Sequence, residues 1–238
     1  MKIKKVEPIM SQRRTPRGGG TGGRGRSRDD APRRPPPPEW NPRTRLGRLV
    51  KDGEITSIEE VFASKRKIQD LEIVDRLVPD LEETVLDVKR VQRQTDAGRK
   101  TTFAAIAVVG NRNGIVGVGS GRDVGMGTAI RAAIQDAKLN IIPVKRGSGT
   151  WEDSTNEPHS LPFKVVGSCA SVRATLIPAP RGTGLVTGEV AKKLLKLAGI
   201  KDIWSQTQGD TRTSANYVKA VFDALKKTYH IMTPNEWR

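Results

Sequence analysis

Hydrophobic residues recur with two different periods in the middle of the chain, and the change of period predicts strands followed by a helix. Val85 to Gln92 and Phe103 to Val109 have the composition of strands, and Asn113-Gly114 closes the turn after the second with a strong hairpin signal. Ile115 to Val118 is predicted as a third strand. Apolar residues at helical spacing then indicate a helix, namely Ile130, Ile134, Ala137 and Ile141. Three antiparallel strands covered by one helix make an α+β layer.

A second set of periodic segments follows residue 163. Lys164 to Val166 and Val172 to Ile177 are predicted strands, Glu189 to Ala198 is a predicted helix, and a last helix lies near Ser214 to Tyr229. These elements predict a second two-layer α+β unit. The first of its helices carries apolar residues on one face, while three basic residues lie mostly on the other: Lys192, Lys193 and Lys196.

Two short helices are expected ahead of the first strand. Ser57 followed by Glu60 has the spacing of a capping box. Ile68, Leu71 and Val74 mark an amphipathic helix that Pro79 should end. The segment predicts a helical layer against the first unit.

The N-terminal segment differs from the rest in composition. Residues 1 to 40 hold eleven Lys/Arg against four acidic residues, with six glycines and seven prolines, so they cannot bury enough apolar area to order alone. The expected organisation is a disordered basic tail (1–38), a helical extension (39–80), a first domain (81–147), a linker (148–162) and a second domain (163–238). Beyond residue 40, 31 basic and 22 acidic residues still leave a net charge of +9.

The charge of the whole chain indicates a polyanionic partner. With 42 Lys+Arg against 26 Asp+Glu, the formal net charge is +16, and nucleic acid precedes an acidic membrane surface as the candidate. No apolar stretch approaches the ~20 residues of a membrane span, and no secretory signal is evident. We therefore expect a soluble, intracellular protein. The single Cys169 excludes an internal disulfide and a cysteine zinc site.

Catalytic chemistry has little support in the sequence. The two histidines, His159 and His230, lie near no nucleophile motif, and no metal-ligand spacing appears. The glycines between Gly117 and Gly127 lack the third glycine of the dinucleotide fingerprint, and no phosphate loop is present. We expect neither an enzyme, nor a cofactor, nor a small-molecule substrate.

Basic and polar residues on strand ends and connections are the candidate RNA-binding residues. One rim of the first sheet should gather five of them, and the helix after Asp123 presents free amide groups to a phosphate. In the loop Pro178 to Gly184, Arg181 and Thr183 can both donate to phosphate oxygens. The rim cluster comprises Lys89, Arg90, Arg93, Arg99 and Lys100. The remaining candidates are Arg43, Arg45, Arg48, Lys51, Arg112, Asn113, Arg122, Lys145 and Arg146.

Two blocks of the sequence carry a resemblance to a known family. The first block resembles the double-stranded-RNA-binding-like half of the universal ribosomal protein S5 family of the small subunit. Its sequence is VVGNRNGIVGVGSG followed by AIRAAIQDAKLNIIPVKRG. LIPAPRGTGLV, from Leu176 to Val186, followed by KLLKLAGIKDIW is similar to the other half, in the same order. Glu39 to Phe62 resembles the extension of the archaeal and eukaryotic branch.

This resemblance implies both a fold and a function. The fold is a double-stranded-RNA-binding-like domain followed by a second α+β domain of the S5 C-terminal type, which contains a left-handed strand-helix-strand crossover. The function is that of a structural constituent of the small ribosomal subunit in the cytoplasm, which binds ribosomal RNA. The resemblance also implies contact with the small-subunit proteins numbered four and eight. Arg90, Arg93 and Arg99 would lie beside the path by which messenger RNA enters, with an influence on translational accuracy.

Two alternatives remain open at this point. A free double-stranded-RNA-binding regulator would use the same basic surface away from ribosomes. An enzyme resembling a small-molecule kinase is the other, since the family's second domain shares its fold class with such enzymes. One departure from the family's bacterial pattern is Ala97 ahead of Gly98, where the family has a second glycine.

Overall fold

Between residue 40 and the first sheet, the described residues form three short helices: α1 (Arg45–Asp52), α2 (Ile58–Ala63) and α3 (Leu71–Leu77). In this computed structural model, residues 40–64, 66–148 and 157–230 are described. The predictions for the tail at residues 1–38, for residues 149–156 of the linker and for the last residues of the chain lie outside that part. The other domain boundaries stay predictions.

Side-chain caps begin the first two helices. Ser57 Oγ accepts a hydrogen bond from the Glu60 amide at 3.3 Å, as the capping pattern predicted. Thr44 Oγ1 does the same for Gly47 at 3.1 Å at the start of α1, which was not predicted. Helix α3 begins only at Leu71, so Ile68 lies before the helix, although its side chain is buried.

The first sheet has four antiparallel strands in sequential order, one more than predicted: β1 (Glu82–Thr95), β2 (Gly98–Gly110), β3 (Ile115–Asp123) and β4 (Ile141–Pro143). Helix α4 (Met126–Leu139) covers one face. Ile141 was assigned to this helix, but α4 ends at Leu139 and Ile141 pairs with Gly117 on β3. Ile141 is therefore buried, as the helical spacing predicted, but it lies on a strand beyond the end of the helix.

Strands β1 and β2 are longer than the apolar pattern predicted. Residues 94–100, which lie between the two predicted strands, are mostly strand, and only Asp96 and Ala97 lie between the paired residues Thr95 and Gly98. Strand β3 ends opposite Phe103. Residues 91–102 thus form a two-stranded extension beyond the sheet, which we call the ribbon. Both of its faces are accessible, so no alternation of apolar residues marks it in the sequence.

The second sheet has the spatial order β5-β6-β8-β7. Its strands are β5 (Val165–Cys169), β6 (Val172–Pro178), β7 (Leu185–Val186) and β8 (Ile203–Gln208), and its helices are α5 (Glu189–Leu197) and α6 (Ser214–Thr228). Strands β7 and β8 were not predicted. They are parallel and joined through α5. Strand β7 is too short, and β8 too polar after its first residues, to show a period in the sequence.

Two large hydrophobic clusters hold these layers together, and a small cluster of alanines lies between α4 and the first sheet. The larger joins both sheets, because Val108 and Val116 of the first pack in one cluster with Leu176, Leu194 and Leu225 of the second half. The other places the short helices against the first sheet and α4. Burial therefore runs continuously from one half to the other.

A side-chain hydrogen bond of Asp87 on β1 links the first sheet to the start of α6. Its Oδ2 accepts a 2.5 Å hydrogen bond from the Ser214 hydroxyl. That hydrogen bond is the main reason why the pKa of Asp87 lies below its usual range; burial opposes it, and nearby Lys89 lowers the pKa further. The ionised carboxylate is thus the form that the folded state prefers.

This contact predicts a pH-dependent share of stability. A lowered pKa in the folded state contributes stability above the unfolded pKa of about 4, and that stability is lost as the pH falls through the folded value. Asp87→Asn should therefore cost about 1 kcal/mol at neutral pH, and the difference from the wild type should shrink on acidification. Urea unfolding between pH 7 and pH 3 measures it, with exposed Asp52→Asn as the control. A constant difference would contradict the assignment.

Candidate nucleic-acid interface

The predicted rim residues meet at the ribbon and its base, and we call them the ribbon cluster: Lys89, Arg90, Arg93, Arg99 and Lys100. All five are exposed. Arg93 pairs with Lys100, and Gln94 pairs with Arg99. Since paired residues share a face and successive residues alternate, Lys89, Arg93 and Lys100 lie on one face, with Arg90 and Arg99 on the other. The cluster therefore carries positive charge on both faces of the ribbon.

Arg122 extends one face of the cluster across the sheet. Lys89 pairs with Ala104 on β2, and Ala104 pairs with Arg122 on β3. The small alanine between the two exposed cations leaves the row open. Lys89 also lies 3.4 Å from Asp87, between its Nζ and the carboxylate Oδ2. The base of the ribbon is therefore basic across three strands.

Helix α4 begins shortly after Asp123. Strand β3 runs to Asp123, and the helix begins at Met126 after the N-cap Gly125. Asp123 Oδ1 accepts a hydrogen bond from the Val124 amide at 2.6 Å. The Thr128 hydroxyl first, and then that amide, hold the pKa of Asp123 below its usual range. The helix predicted after Asp123 is thus confirmed and begins at Met126. Its contact with a phosphate stays a prediction.

Two of the candidate residues, Arg112 and Arg146, join the two halves, and Asn113 contacts Arg146. The Arg112 amide donates to the Leu197 carbonyl at 2.8 Å, and its guanidinium pairs with Glu82 at 2.7 Å. Arg146 donates to Asn113 Oδ1 at 2.5 Å and to the carbonyl of Gly199 at 3.5 Å. These side chains thus have partners inside the protein. Lys145 lies nearby, with its Nζ 5.7 Å from the centre of the Tyr229 ring.

The loop from Pro178 to Gly184 is held by a buried carboxylate. Asp202 Oδ1 accepts hydrogen bonds from the amides of Gly182 and Gly184 at 3.1 and 2.8 Å. Its Oδ2 lies 2.9 Å from Nδ1 of His159, and both side chains are buried. His159 is therefore a packing histidine.

Arg181 and Thr183 occupy different positions in this loop. The Thr183 hydroxyl donates to the Pro180 carbonyl at 2.8 Å, so its hydrogen is used within the loop. Arg181 is exposed, and its Nη2 lies 3.3 Å from Glu157 Oε2. An ion pair this exposed contributes little to stability. Arg181 is thus the loop's accessible cation.

The remaining candidates lie on or just before α1. Leu46 and Val50 form the buried side of this helix. Its exposed side and the residue before its N-cap carry Arg43, Arg45, Arg48 and Lys51. They belong to neither sheet.

Sequence reasoning missed one basic surface. A cavity of about 940 Å³ lies where the two halves meet. Its lining includes Arg112 and Arg146 together with four lysines, Lys192, Lys193, Lys196 and Lys201. The polar face of α5 was visible in the sequence, but a lysine face on a helix is usually only solvated. The cavity forms only where α5 meets the first half of the protein, and no local sequence pattern indicates that contact.

Other kinds of site find no support in residues 40–64, 66–148 and 157–230. Within these ranges, no group of three or more His, Cys, Asp or Glu side chains is arranged to hold a metal ion. No helix within them has the length and apolar character required to cross a bilayer.

Comparison with known proteins supports the reading from the residues. Residues 81–145 match the family model described as ribosomal protein S5, N-terminal domain, and residues 167–236 match the C-terminal domain. These matches confirm the predicted class of two α+β domains in series.

Three archaeal relatives cover most of the chain, and all are named small ribosomal subunit protein uS5. The one from Ignicoccus hospitalis is 55% identical over 84% of this chain and 94% of its own length. The one from Thermofilum pendens is 54% identical over 84% and 98%. The one from Methanospirillum hungatei is 55% identical over 80% and 93%. The resemblance is confirmed, and the chain belongs to the ribosomal protein S5 family.

Proposed function

We propose that this chain is a structural constituent of the small ribosomal subunit in the cytoplasm and binds ribosomal RNA through its basic surface. The observation that carries the RNA contact is the ribbon cluster, with five exposed cations at a part of the first sheet that α4 and the second half leave open. The family consists of ribosomal proteins and not of enzymes. This confirms the prediction that the protein is not an enzyme and removes the kinase-like alternative.

Binding would rest on phosphate and sugar contacts. Folded ribosomal RNA is mostly A-form, with a major groove too narrow for side chains, so recognition follows shape and charge more than base identity. Arginine forms paired hydrogen bonds to phosphate oxygens, and lysine adds a point charge. Because the ribbon is basic on both faces, it can lie between two RNA segments and contact both.

A finer division of labour belongs to the same proposal. Arg90, Arg93 and Arg99 would face messenger RNA where it enters, with an influence on translational accuracy, while Arg181 would anchor ribosomal RNA. The exposure of all four side chains supports this. Contacts with the proteins numbered four and eight complete it. Such contacts would cover exposed apolar residues such as Val186 and Trp204, which are 52% and 41% accessible and pair with each other.

The division of labour predicts two separable defects. Arg90→Ala combined with Arg93→Ala should leave folding and subunit assembly nearly intact, because surface substitutions typically change stability by less than about 0.5 kcal/mol. Translation of messages that contain a stable hairpin should then slow, while unstructured messages are translated normally. Arg181→Ala should instead reduce incorporation into purified subunits. Incorporation and translation of both kinds of message are the measurements.

The two arginines also serve as controls for each other. They lie on opposite faces of the ribbon, so the single variants show which face meets the message. If the double variant fails to assemble, the cluster binds ribosomal RNA instead of messenger RNA. If it translates both messages equally well, the cluster is a solvated surface without a role in translation. Sedimentation of the intact protein in a native lysate separates this proposal from a free double-stranded-RNA regulator, which would not migrate with small subunits.

A further inference from the structure

We propose that the cavity between the two halves is a second site for an RNA sugar-phosphate backbone, contacted by Lys192, Lys193 and Lys196 of α5 and by Lys201. The inference rests on the proposed function, since it assigns a further surface to the same partner. None of these lysines belongs to the ribbon cluster or to the loop around Arg181. We call this surface the lysine groove.

Positive charge exceeds negative charge among the described residues of the lysine groove. All four lysines are exposed, and none forms an ion pair with a carboxylate in the described part of the chain. Among the described residues, the cavity lining contains a single acidic residue, Glu82, and its carboxylate is already paired with Arg112 at 2.7 Å. Like charges held this close together repel one another unless an anion enters. The groove therefore has an excess of positive charge that favours a polyanion.

The arginines of the groove have a different role from the lysines. The Arg112 guanidinium donates a hydrogen bond to Glu82, and the Arg146 guanidinium donates to Asn113 and to the carbonyl of Gly199. They therefore set the shape of the groove by joining the first sheet to the end of α5. The exposed lysines provide the contacts, and as flexible point charges they can follow an irregular backbone.

The shape of the groove fits an RNA strand. Lys192 and Lys196 are one helical turn apart, about 6 Å along the axis of α5, and so lie on one face. Gly184 on the lining has no side chain, and nothing lies within 4 Å of where its Cβ would be. A bulky phosphate can thus approach the loop backbone closely. Repeated cations beside an open floor suit a chain of phosphates better than one small anion.

An acidic protein segment is the competing occupant. Leu185, Leu197 and Ile200 also line the cavity, but Leu197 and Ile200 are buried, and Leu185 is partly covered. The groove thus offers little apolar area for the anchoring residues on which protein interfaces depend. Its surface is mainly cationic, which favours RNA.

The test uses the full chain with three lysines of α5 replaced by glutamine, Lys192→Gln, Lys193→Gln and Lys196→Gln. Glutamine keeps helix propensity while removing charge. The matched control removes three exposed lysines elsewhere in the second half: Lys164→Gln, Lys219→Gln and Lys226→Gln. Affinity for purified small-subunit RNA is measured across a salt series. The groove variant should bind at least about 10-fold more weakly, with a salt slope lower by about 2 to 3, and the control should match the wild type.

Each outcome has a distinct meaning. If the wild type does not bind the RNA, the proposed function itself fails. If the wild type binds and the groove variant behaves like the control, the lysine groove is not an RNA site, although the proposed function stands. If the variant binds RNA normally but does not join reconstituted subunits, the occupant is a protein and the RNA assignment is overturned. Thermal unfolding of both triple variants confirms that each is folded.

Discussion

Gly119→Ala is expected to cost about 3 kcal/mol or more of unfolding free energy, the upper range for overpacking a core. Gly119 lies on β3 beneath α4. A Cβ there would lie 2.1 Å from the Ala137 amide nitrogen and 2.3 Å from the Ala133 carbonyl oxygen. Both are backbone atoms of a packed helix, so no side-chain rotation can relieve the clash. The helix itself would have to move away from the sheet.

Gly127→Ala is the matched control for this prediction. Gly127 is in α4 itself, and a Cβ at that position meets nothing within 4 Å. Because glycine is the poorer helix former, this change should stabilise the protein by roughly 0.5–1 kcal/mol. Urea unfolding of both variants measures the contrast. A Gly119→Ala protein within 0.5 kcal/mol of the wild type would show that the layers are not in close contact.

The second large effect concerns salt. Affinity for small-subunit ribosomal RNA should fall about 10²- to 10³-fold between 50 and 200 mM monovalent salt, since each phosphate contact releases a counterion. About five contacts give a log-log slope near −3 to −5. The expectation follows from the exposed cations Lys89 and Lys100 of the ribbon cluster, from Arg181 and from the lysine groove.

A titration of the full chain by fluorescence anisotropy across this range measures the slope. Arg181→Ala should reduce the slope by about 1, because one phosphate contact is lost. A flat response to salt would contradict the electrostatic account of binding, whatever the affinity at low salt.

The sequence predicted elements whose apolar residues all face one core. Helices α5 and α6 are examples, since Leu194 and Leu225 recur with their neighbours at helical spacing and are buried. It failed where that condition is absent. The ribbon is polar on both faces, so its strands looked like a loop. Ile141 is buried from a different element, and its spacing alone placed it on the wrong one.

The candidate site was predictable only in part, and for a related reason. Exposure and charge bias marked the ribbon cluster, which the chain brings together through one local hairpin. The partners of Arg112 and Arg146, by contrast, lie 30 and 53 residues away along the chain, at Glu82 and Gly199. No local pattern marks such pairings. The lysine groove was missed for the same reason, because its two sides come from different halves of the chain.

The ribbon also sets a rule for how this protein can change length. Because residues 91–102 pair only with each other, they can lengthen without disturbing either core. One extra residue in each strand extends the ribbon by about 3.4 Å but turns every later side chain to the opposite face. Two extra residues in each strand restore the faces. Insertions can therefore lengthen the ribbon without loss of core packing. Only insertions of two residues per strand keep Arg93 and Arg99 on their present faces of the ribbon.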